Sequence, residues 1–307
     1  MQTAYLSHPD CLRHDMGEGH PECPARLKAI EDKLIAFGIF PFLHHYEAPS
    51  VTREQLARVH SDALLDHLES ISPSEDLVQI DEDTWMTPHT LAAAGRAAGS
   101  LVLATDLVMA GKAGNAFCCV RPPGHHASRD QSMGFCFFNN VAVGAAHALE
   151  HHGLERVAVI DFDAHHGNGT EDIFKDDPRV MLCSSFQQRI YPESIPGPGN
   201  DHMIFAPLPP RSGSGVFRDT VTRLFLPALN RFRPQIVFVS AGFDSHRADE
   251  MADLDLVEED YAWITRELKQ VAAVHSGRRL VSTLEGGYEL QALGRSVAAH
   301  LKVLCDM

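Results

Sequence analysis

Short apolar runs rich in β-branched residues alternate with amphipathic stretches along the whole of this 307-residue chain. Near-continuous apolar strands separated by helices are typical of a parallel sheet that is covered by helices on both faces. We therefore predict an α/β fold with about eight strands, most of them parallel. The strand candidates are residues 116–120, 157–162, 180–185, 236–240 and 280–284, with weaker ones at 4–6, 40–46 and 203–208.

Helical patterns fill the intervals between these runs. Pro24 begins one helix and Gly38 ends it, in keeping with the preference for Pro at a helix start and Gly just past its end. The chain has no internal repeat and no Gly/Ser or Pro linker between two halves, so we expect a single domain over residues 1–307. The other helical patterns lie at residues 88–111, 139–152, 216–233, 258–275 and 290–304.

Charge and cysteine content argue against several classes of protein. Nucleic-acid binding needs a basic face, whereas this chain has a formal net charge of -15, which suits a cationic substrate or simply keeps the protein soluble. We find no 18-residue apolar run and no basic leader, so we expect no membrane span and a cytoplasmic location. The seven cysteines include no Cys-x-x-Cys pair, which argues against a disulfide framework or a cysteine-rich zinc site.

Acidic residues and a histidine follow two of the predicted strands. The strand 157–162 runs into Asp161, Asp163 and His165, and the strand 236–240 is followed by Asp244. Ligands bind at the carboxyl ends of strands in such sheets, and buried carboxylates are costly without a cation. Two carboxylates and one imidazole leave tetrahedral Zn²⁺ a position for water, although Fe²⁺ or Mn²⁺ could use the same ligands. The alternative is that these are ordinary turn and cap residues.

Two adjacent histidines, His125 and His126, follow the strand 116–120 after a Pro-Pro-Gly turn. An imidazole beside a metal-activated water can take its proton and later protonate a departing amine. We therefore interpret this pair as catalytic rather than as loop residues that merely satisfy their hydrogen bonds. The pairs 44–45 and 151–152 lie away from the predicted strand ends, and we interpret them as structural.

The last strand ends in a glycine pair, Gly286 and Gly287, followed by Tyr288. A phenol at this strand end could stabilise the oxyanion that forms when water attacks a carbonyl, although a lone tyrosine here could equally cap the sheet. Gly134 and Phe135, which follow the histidine pair, are candidates to line a substrate channel because Gly allows close approach to the backbone. We expect Gly286, Gly287 and Met251 to line the same channel.

Five segments together resemble the histone deacetylase family, including its bacterial deacetylase-like and acetoin-utilisation branches. They are residues 19–27, 121–126, 161–169, 241–244 and 285–288, and the loop sequences are most similar to class II members. The resemblance implies an arginase-like sheet and one catalytic zinc held by Asp163, His165 and Asp244. It also implies that His126 is the general base and acid, that His125 is its electrostatic partner, and that Tyr288 polarises the acyl carbonyl. Asp161 would hold His125 and contribute, with the backbone near Ser184, to a structural potassium site.

Two positions depart from the patterns of relatives. Asn168 stands where some relatives have an Asp beside the second histidine, so we expect a lower pKa for His126. Met251 occupies the position of the gatekeeper Glu in polyamine-preferring relatives, which favours acyl-lysine in a protein or peptide, or another acylated amine, as the substrate. An acetylpolyamine amidohydrolase, an arginase-like hydrolase and a non-catalytic acyl-lysine reader remain alternatives. The sequence leaves the natural substrate, the acyl length and the oligomeric state open.

Overall fold

A parallel sheet forms the centre of the computed structural model, which describes residues 2–192, 196–197 and 199–307. Across these residues the sheet has eight strands in the order β2-β1-β5-β10-β9-β6-β7-β8, and every neighbouring pair is parallel. The strands are β1 Thr3–Ser7, β2 Leu43–Glu47, β5 Asn115–Cys118, β6 Val157–Asp161, β7 Val180–Gln187, β8 Met203–Leu208, β9 Ile236–Ala241 and β10 Leu280–Leu284, and a separate hairpin joins β3 Val78–Gln79 to β4 Trp85–Met86.

Helices connect the strands and cover the sheet. They are α1 Ala25–Ala36, α2 Arg53–Ala57, α3 Asp62–Ile71, α4 Thr90–Met109, α5 Asn140–Glu150, α6 Asn168–Phe174, α7 Ser214–Thr220, α8 Leu226–Phe232, α9 Glu258–His275 and α10 Leu290–Leu304. A π-helical turn, Val221–Phe225, joins α7 to α8.

Alternate residues of the central strands face different helices, which makes the fold a three-layer one. Phe238 of β9 is so close to α5 that only a glycine, Gly144, fits opposite its ring. Ser282 of β10 is paired with Val239, the neighbour of Phe238, and its hydroxyl lies 3.0 Å from Nε2 of His300 on α10. Because side chains alternate across a strand, α5 and α10 cover opposite faces of the sheet.

The prediction of an α/β fold with about eight mainly parallel strands is confirmed. The strand predicted at 40–46 is wrong at its start, because Phe40–Phe42 forms a 3₁₀ turn and β2 begins at Leu43. The helix predicted at 216–233 is one continuous helical segment that contains the π turn. Helices α2, α3 and α6 and the β3–β4 hairpin were not predicted, since they are too short to show a clear period.

The helix α4 is long and apolar enough to cross a membrane by length and mean hydropathy alone. By this measure, the expectation that the chain has no such segment is wrong. In the structure, 72% of its most apolar window is buried. It packs against α5 and the strands β1, β5 and β10, which is the environment of a core helix.

Strand order explains how distant segments meet. The strands β5, β10, β9 and β6 are neighbours in the sheet, although they are far apart in the sequence. Register places Leu284 beside Ala241 and Asp161 beside Ser240, so the ends of these strands are level. The residues that follow all four strands therefore converge at one edge of the sheet.

Candidate metal centre and active site

Asp163, His165 and Asp244 form a buried cluster at this edge of the sheet. Nδ1 of His165 lies 3.1 Å from Oδ1 of Asp163 and 2.9 Å from Oδ2 of Asp244. One ligand atom from each residue lies within 4.8 Å of the other two, which is close enough for a single ion. The structure thus brings together the three residues that were predicted as metal ligands, whose binding role remains a prediction.

Backbone amides hold both carboxylates in place. The amides of His165 and Gly286 donate to Asp163 at 2.9 and 2.8 Å, and the amide of Ala164 donates to Asp244 at 2.9 Å. Glycine is required at position 286, because a Cβ there would lie 2.6 Å from Oδ2 of Asp163 and would also clash with Asp244. Gly286 thus makes room for the two carboxylates, and its predicted place in a substrate channel stays a prediction.

The electrostatics of the cluster fit a divalent cation. Burial and the neighbouring Asp163 carboxylate raise the pKa of Asp244 to about 7. Burial opposes ionisation of Asp163 as well, but the charges of His125 and His165 keep its pKa below its usual value. Two buried carboxylates side by side favour a cation between them, and the Asp-His-Asp donor set with an open fourth position suits catalytic zinc.

The two tandem histidines have different hydrogen-bond partners. Nδ1 of His125 lies 2.9 Å from Asp161, and Nδ1 of His126 lies 2.7 Å from Oδ1 of Asn168. Burial opposes protonation of His125, but Asp161 and Asp163 outweigh it and raise its pKa to about 10. Burial and the His125 cation lower the pKa of His126 well below its usual value. At neutral pH one ring is therefore charged and the other is free to accept a proton.

Glu285 holds the backbone of the histidine segment in place, a role that was not predicted from the sequence. Its carboxylate accepts hydrogen bonds from the amides of Gly124 and His125 at 2.7 and 3.2 Å, and from the hydroxyl of Ser240 at 3.0 Å. Burial raises the pKa of Glu285 to about 7. The available signal was a carboxyl directly after an apolar strand, at the start of the segment that leads to Tyr288.

Arg26 fixes the segment that carries Tyr288, and it too was missed. Its guanidinium donates to the carbonyl of Gly287 at 2.7 Å and lies over the Tyr288 ring, 4.8 Å from the centroid. Asp249 accepts from the amide of Tyr288 at 2.6 Å on the other side. Burial raises the pKa of Tyr288, so its phenol keeps the proton that a hydrogen-bond donor needs.

A second buried charge network anchors Arg26. Glu22 lies 3.1 Å from the Arg26 guanidinium and also pairs with Arg121, which leads into the tandem histidines. The guanidinium of Arg121 donates to the carbonyls of Cys11 and His14 at 2.9 and 3.0 Å. These contacts connect the N-terminal part of the chain to the segment of the tandem histidines and to the segment of Tyr288.

The proposed channel residues lie against the histidines and the tyrosine. A Cβ on Gly134 would lie 2.7 Å from the His126 ring and 2.8 Å from the ring of Tyr191, which sequence reasoning did not single out. Phe135, with a positive φ of 68°, packs edge-on against Tyr288 with centroids 5.9 Å apart. Both positions are consistent with lining a channel, a role that remains a prediction.

Two further predicted positions lie close to the site. The Ser184 hydroxyl is 3.0 Å from Nδ1 of His166, and Ser184 is paired with Asp161 across β6 and β7. Asp161 and Ser184 are thus neighbours, as the predicted potassium site requires, and that ion stays a prediction. Met251 lies in the loop of Asp249, to which its amide donates at 3.1 Å, so its role at the pocket mouth also stays a prediction.

The sequence profile described as "Histone deacetylase domain" matches residues 20–304. The chain belongs to the histone deacetylase family. It is 36% identical to the histone deacetylase-like amidohydrolase of Pseudomonas aeruginosa, over 88% of this chain and 73% of that protein. It is 35% identical to a probable deacetylase of Archaeoglobus fulgidus, over 95% of this chain and 82% of that protein.

Comparison with a solved structure supports the assignment to the histone deacetylase family. The crystal structure of the HDA15 HD domain superimposes with a TM-score of 0.92 and 31% identity, over 99% of this chain and 88% of that one. Family membership supports a hydrolase of the deacetylase and amidohydrolase type. The resemblance stated from the sequence is thereby confirmed, together with the deacetylase fold.

Proposed function

We propose that this member of the histone deacetylase family is a zinc-dependent amidohydrolase that removes acyl groups from amines, with acyl-lysine side chains or related linear amides as its substrates. The observation that carries the proposal is the position of the two histidines directly beside the Asp163–His165–Asp244 cluster. Oδ2 of Asp163 lies 3.9 Å from Nε2 of His125, and the His125 and His126 rings are 4.0 Å apart.

Zinc held by Asp163, His165 and Asp244 would act as a Lewis acid on the acyl carbonyl and lower the pKa of a water molecule. The neutral ring of His126 would take the proton of that water, since its low pKa leaves it unprotonated at neutral pH. His125, charged through Asp161, would stabilise the negative charge that develops nearby. One of the two rings would then pass a proton to the leaving amine.

Tyr288 would donate a hydrogen bond from its phenol to the carbonyl oxygen. Its backbone is fixed by Asp249 and its ring by Arg26 and Phe135, so the phenol needs no reorganisation during the reaction. This preorganisation supports turnover rather than binding alone, and so it argues against a non-catalytic reader of acylated lysines.

The orientation of Asp161 favours one metal over the two of an arginase-like site. Its Oδ2 faces His125, and its Oδ1 accepts the amide of Asp163 at 3.1 Å. Asp161 also lies outside the group of ligand atoms within 4.8 Å of one another, which at this site comprises Asp163, His165 and Asp244 among the described residues. Metal stoichiometry of variants that lack one ligand tests this point.

The decisive experiment measures amine release from an acetyl-lysine peptide and an acetylated polyamine side by side, with and without a zinc chelator. We expect turnover of the peptide that the chelator abolishes. Asp163→Asn should lose the catalytic zinc together with activity, whereas Asp66→Asn, a change on the exposed face of α3, serves as the matched control.

Three other outcomes of this experiment would change the assigned function or mechanism. Turnover of the polyamine alone would move the function to polyamine metabolism and remove the argument from Met251. Tight binding of the acylated peptide without turnover by zinc-loaded protein would identify a reader. Turnover that persists without metal would refute the proposed zinc chemistry.

A further inference from the structure

A second group of potential metal ligands lies where the helices α4 and α5 end. Asp106 belongs to the last turns of α4, His147 to the last turn of α5, and His151 and His152 follow directly. Ligand atoms of these four residues all lie within 4.8 Å of one another. Nε2 of His147 and Nε2 of His152 each lie 2.8 Å from the same carboxylate oxygen of Asp106.

This cluster is well separated from the catalytic centre. The helix α5 begins at its N-cap Asn139, whose side chain donates to the carbonyl of Ala127, the residue after the tandem histidines. The 11 residues of α5 then extend the chain by about 16 Å before the cluster is reached. The two sets of ligands therefore lie at opposite ends of the same helix.

The contacts are those of hydrogen bonds, and a small adjustment would let the same atoms hold a tetrahedral ion. Zinc with bonds of 2.0–2.1 Å to His and Asp places its ligand atoms about 3.3–3.4 Å apart. The two contacts of 2.8 Å would open by about 0.5 Å to admit the ion. One Asp and three His ligands are also a donor set that Zn²⁺ and neighbouring first-row ions prefer over Ca²⁺ or Mg²⁺.

The spacing in the sequence supports chelation by the helix. His147 and His151 are four residues apart, so they share one face, and their rings stack with centroids 4.7 Å apart. His152 adds a third ring, 5.3 Å from that of His147. The C-terminal end of a helix carries a partial negative charge, which favours a cation at this place.

An ion would replace the two hydrogen bonds to Asp106. Nε2 of His147 and Nε2 of His152 carry the protons of those hydrogen bonds, so an ion binds there only once the protons have left Nε2. The side chain of Asp106 is 43% exposed, which leaves a path for an ion from solvent.

One neighbour must move when the ion binds. The Arg58 guanidinium lies 3.4 Å from Nδ1 of His147, and a ring that binds metal through Nε2 carries its proton on Nδ1. Glu54, one turn earlier on the same segment, is also 3.4 Å from Arg58 and offers it an alternative partner. The cost of this rearrangement is small because both contacts of Arg58 are long.

We propose that Asp106, His147, His151 and His152 form a second binding site for a divalent transition metal, zinc in the first place, which pins the end of α4 to the end of α5. From the sequence alone, the 151–152 pair was interpreted as structural. A bound metal ion explains how the pair would stabilise the structure. The site stabilises the fold and takes no part in the reaction.

The test is the zinc content of the folded protein after equilibrium dialysis against buffered micromolar free Zn²⁺. We expect two equivalents for the unchanged chain, and one equivalent each for Asp163→Asn and for the double variant His151→Gln/His152→Gln. In the double variant, the zinc affinity of the second site should fall at least about tenfold, while the deacetylase activity is unchanged. The double variant His44→Gln/His67→Gln, which removes two exposed histidines elsewhere, is the matched control and should keep both equivalents.

Thermal unfolding provides a second readout, because an ion that binds only the folded state raises the unfolding midpoint. Zinc added to Asp163→Asn should raise the midpoint, and the rise should disappear when the 151–152 pair is also replaced. A single zinc equivalent in the unchanged chain would overturn the proposal. So would an unchanged second equivalent in the His151→Gln/His152→Gln variant.

Discussion

Oδ1 of Asn168 lies 2.7 Å from Nδ1 of His126, at the same ring atom where Asp161 contacts His125. The two adjacent imidazoles thus differ in the charge of their partner, one neutral and one anionic. A carboxylate stabilises imidazolium, whereas an amide oxygen does so only weakly. The identity of residue 168 therefore sets which of the two rings can accept a proton.

Replacing Asn168 by Asp should raise the pKa of His126. The base must be neutral to accept a proton, so a higher pKa removes activity from the acidic side of the profile. We expect the apparent pKa of the acidic limb of the kcat/KM profile to rise by about 1 pH unit or more. A pH profile on an acetyl-lysine peptide measures this shift. Asn168→Ser, which adds no charge, should leave the limb where it is, and an equal shift in both variants would contradict the argument.

Replacing Tyr288 by Phe removes one hydrogen-bond donor without changing the packing against Arg26 and Phe135. We expect kcat to fall about 10²–10³-fold, the usual loss for one oxyanion donor, while zinc content stays the same. Steady-state kinetics and metal analysis of the same sample measure both quantities. Tyr46→Phe, at a half-buried tyrosine on β2, controls for loss of a phenol elsewhere, and full activity in Tyr288→Phe would remove Tyr288 from the mechanism.

Replacing Gly286 by Ala should weaken metal binding, because the new Cβ would meet the carboxylates of Asp163 and Asp244. Changes to groups that hold metal ligands in place, as the Gly286 amide holds Asp163, typically cost about 10–100-fold in metal affinity, which a competition titration with a chelator measures. Gly215→Ala is the matched control, since its Cβ would have no neighbour within 4 Å. Equal zinc affinity in the two variants would show that the segment at Gly286 adapts at no cost.

His60 should make the protein sensitive to mild acid. Burial lowers its pKa to about 4, and its ring lies 2.9 Å from the carbonyl of Ser128 and accepts the amide of Asn139 at 2.9 Å. The unfolded chain takes up the proton near pH 6.5 and the folded chain only near 4, so stability falls as the pH drops between these values. The expected loss at pH 5 is about 2 kcal/mol from this residue.

Urea unfolding at pH 7 and pH 5 measures this loss, and His60→Gln should reduce the difference between the two values. The NMR titration of the His60 ring gives an independent check. A ring that takes up its proton above pH 6 in the folded protein would contradict the expected direction.

The fold could be predicted from the sequence because its signals are local and strong. Strands such as β8 and β10 and helices such as α9 and α10 have the predicted bounds, since each is a long enough run of one hydrophobic period. The short helices α2, α3 and α6 escaped prediction for the opposite reason. In the β3–β4 hairpin, strands of two residues carry no detectable alternation.

The sequence by itself determined which residues are the candidates for the chemistry, because acidic residues, histidines and a tyrosine directly follow buried strands, and the motifs keep the family's order. Only the tertiary structure decided what holds them. Glu285 under the histidine segment and Arg26 over Tyr288 act through contacts between residues far apart in the chain. The same is true of Asp106 and His147, which meet because α4 packs on α5. Hydrogen bonds of this kind depend on strand order and helix packing, which no local pattern of residues encodes.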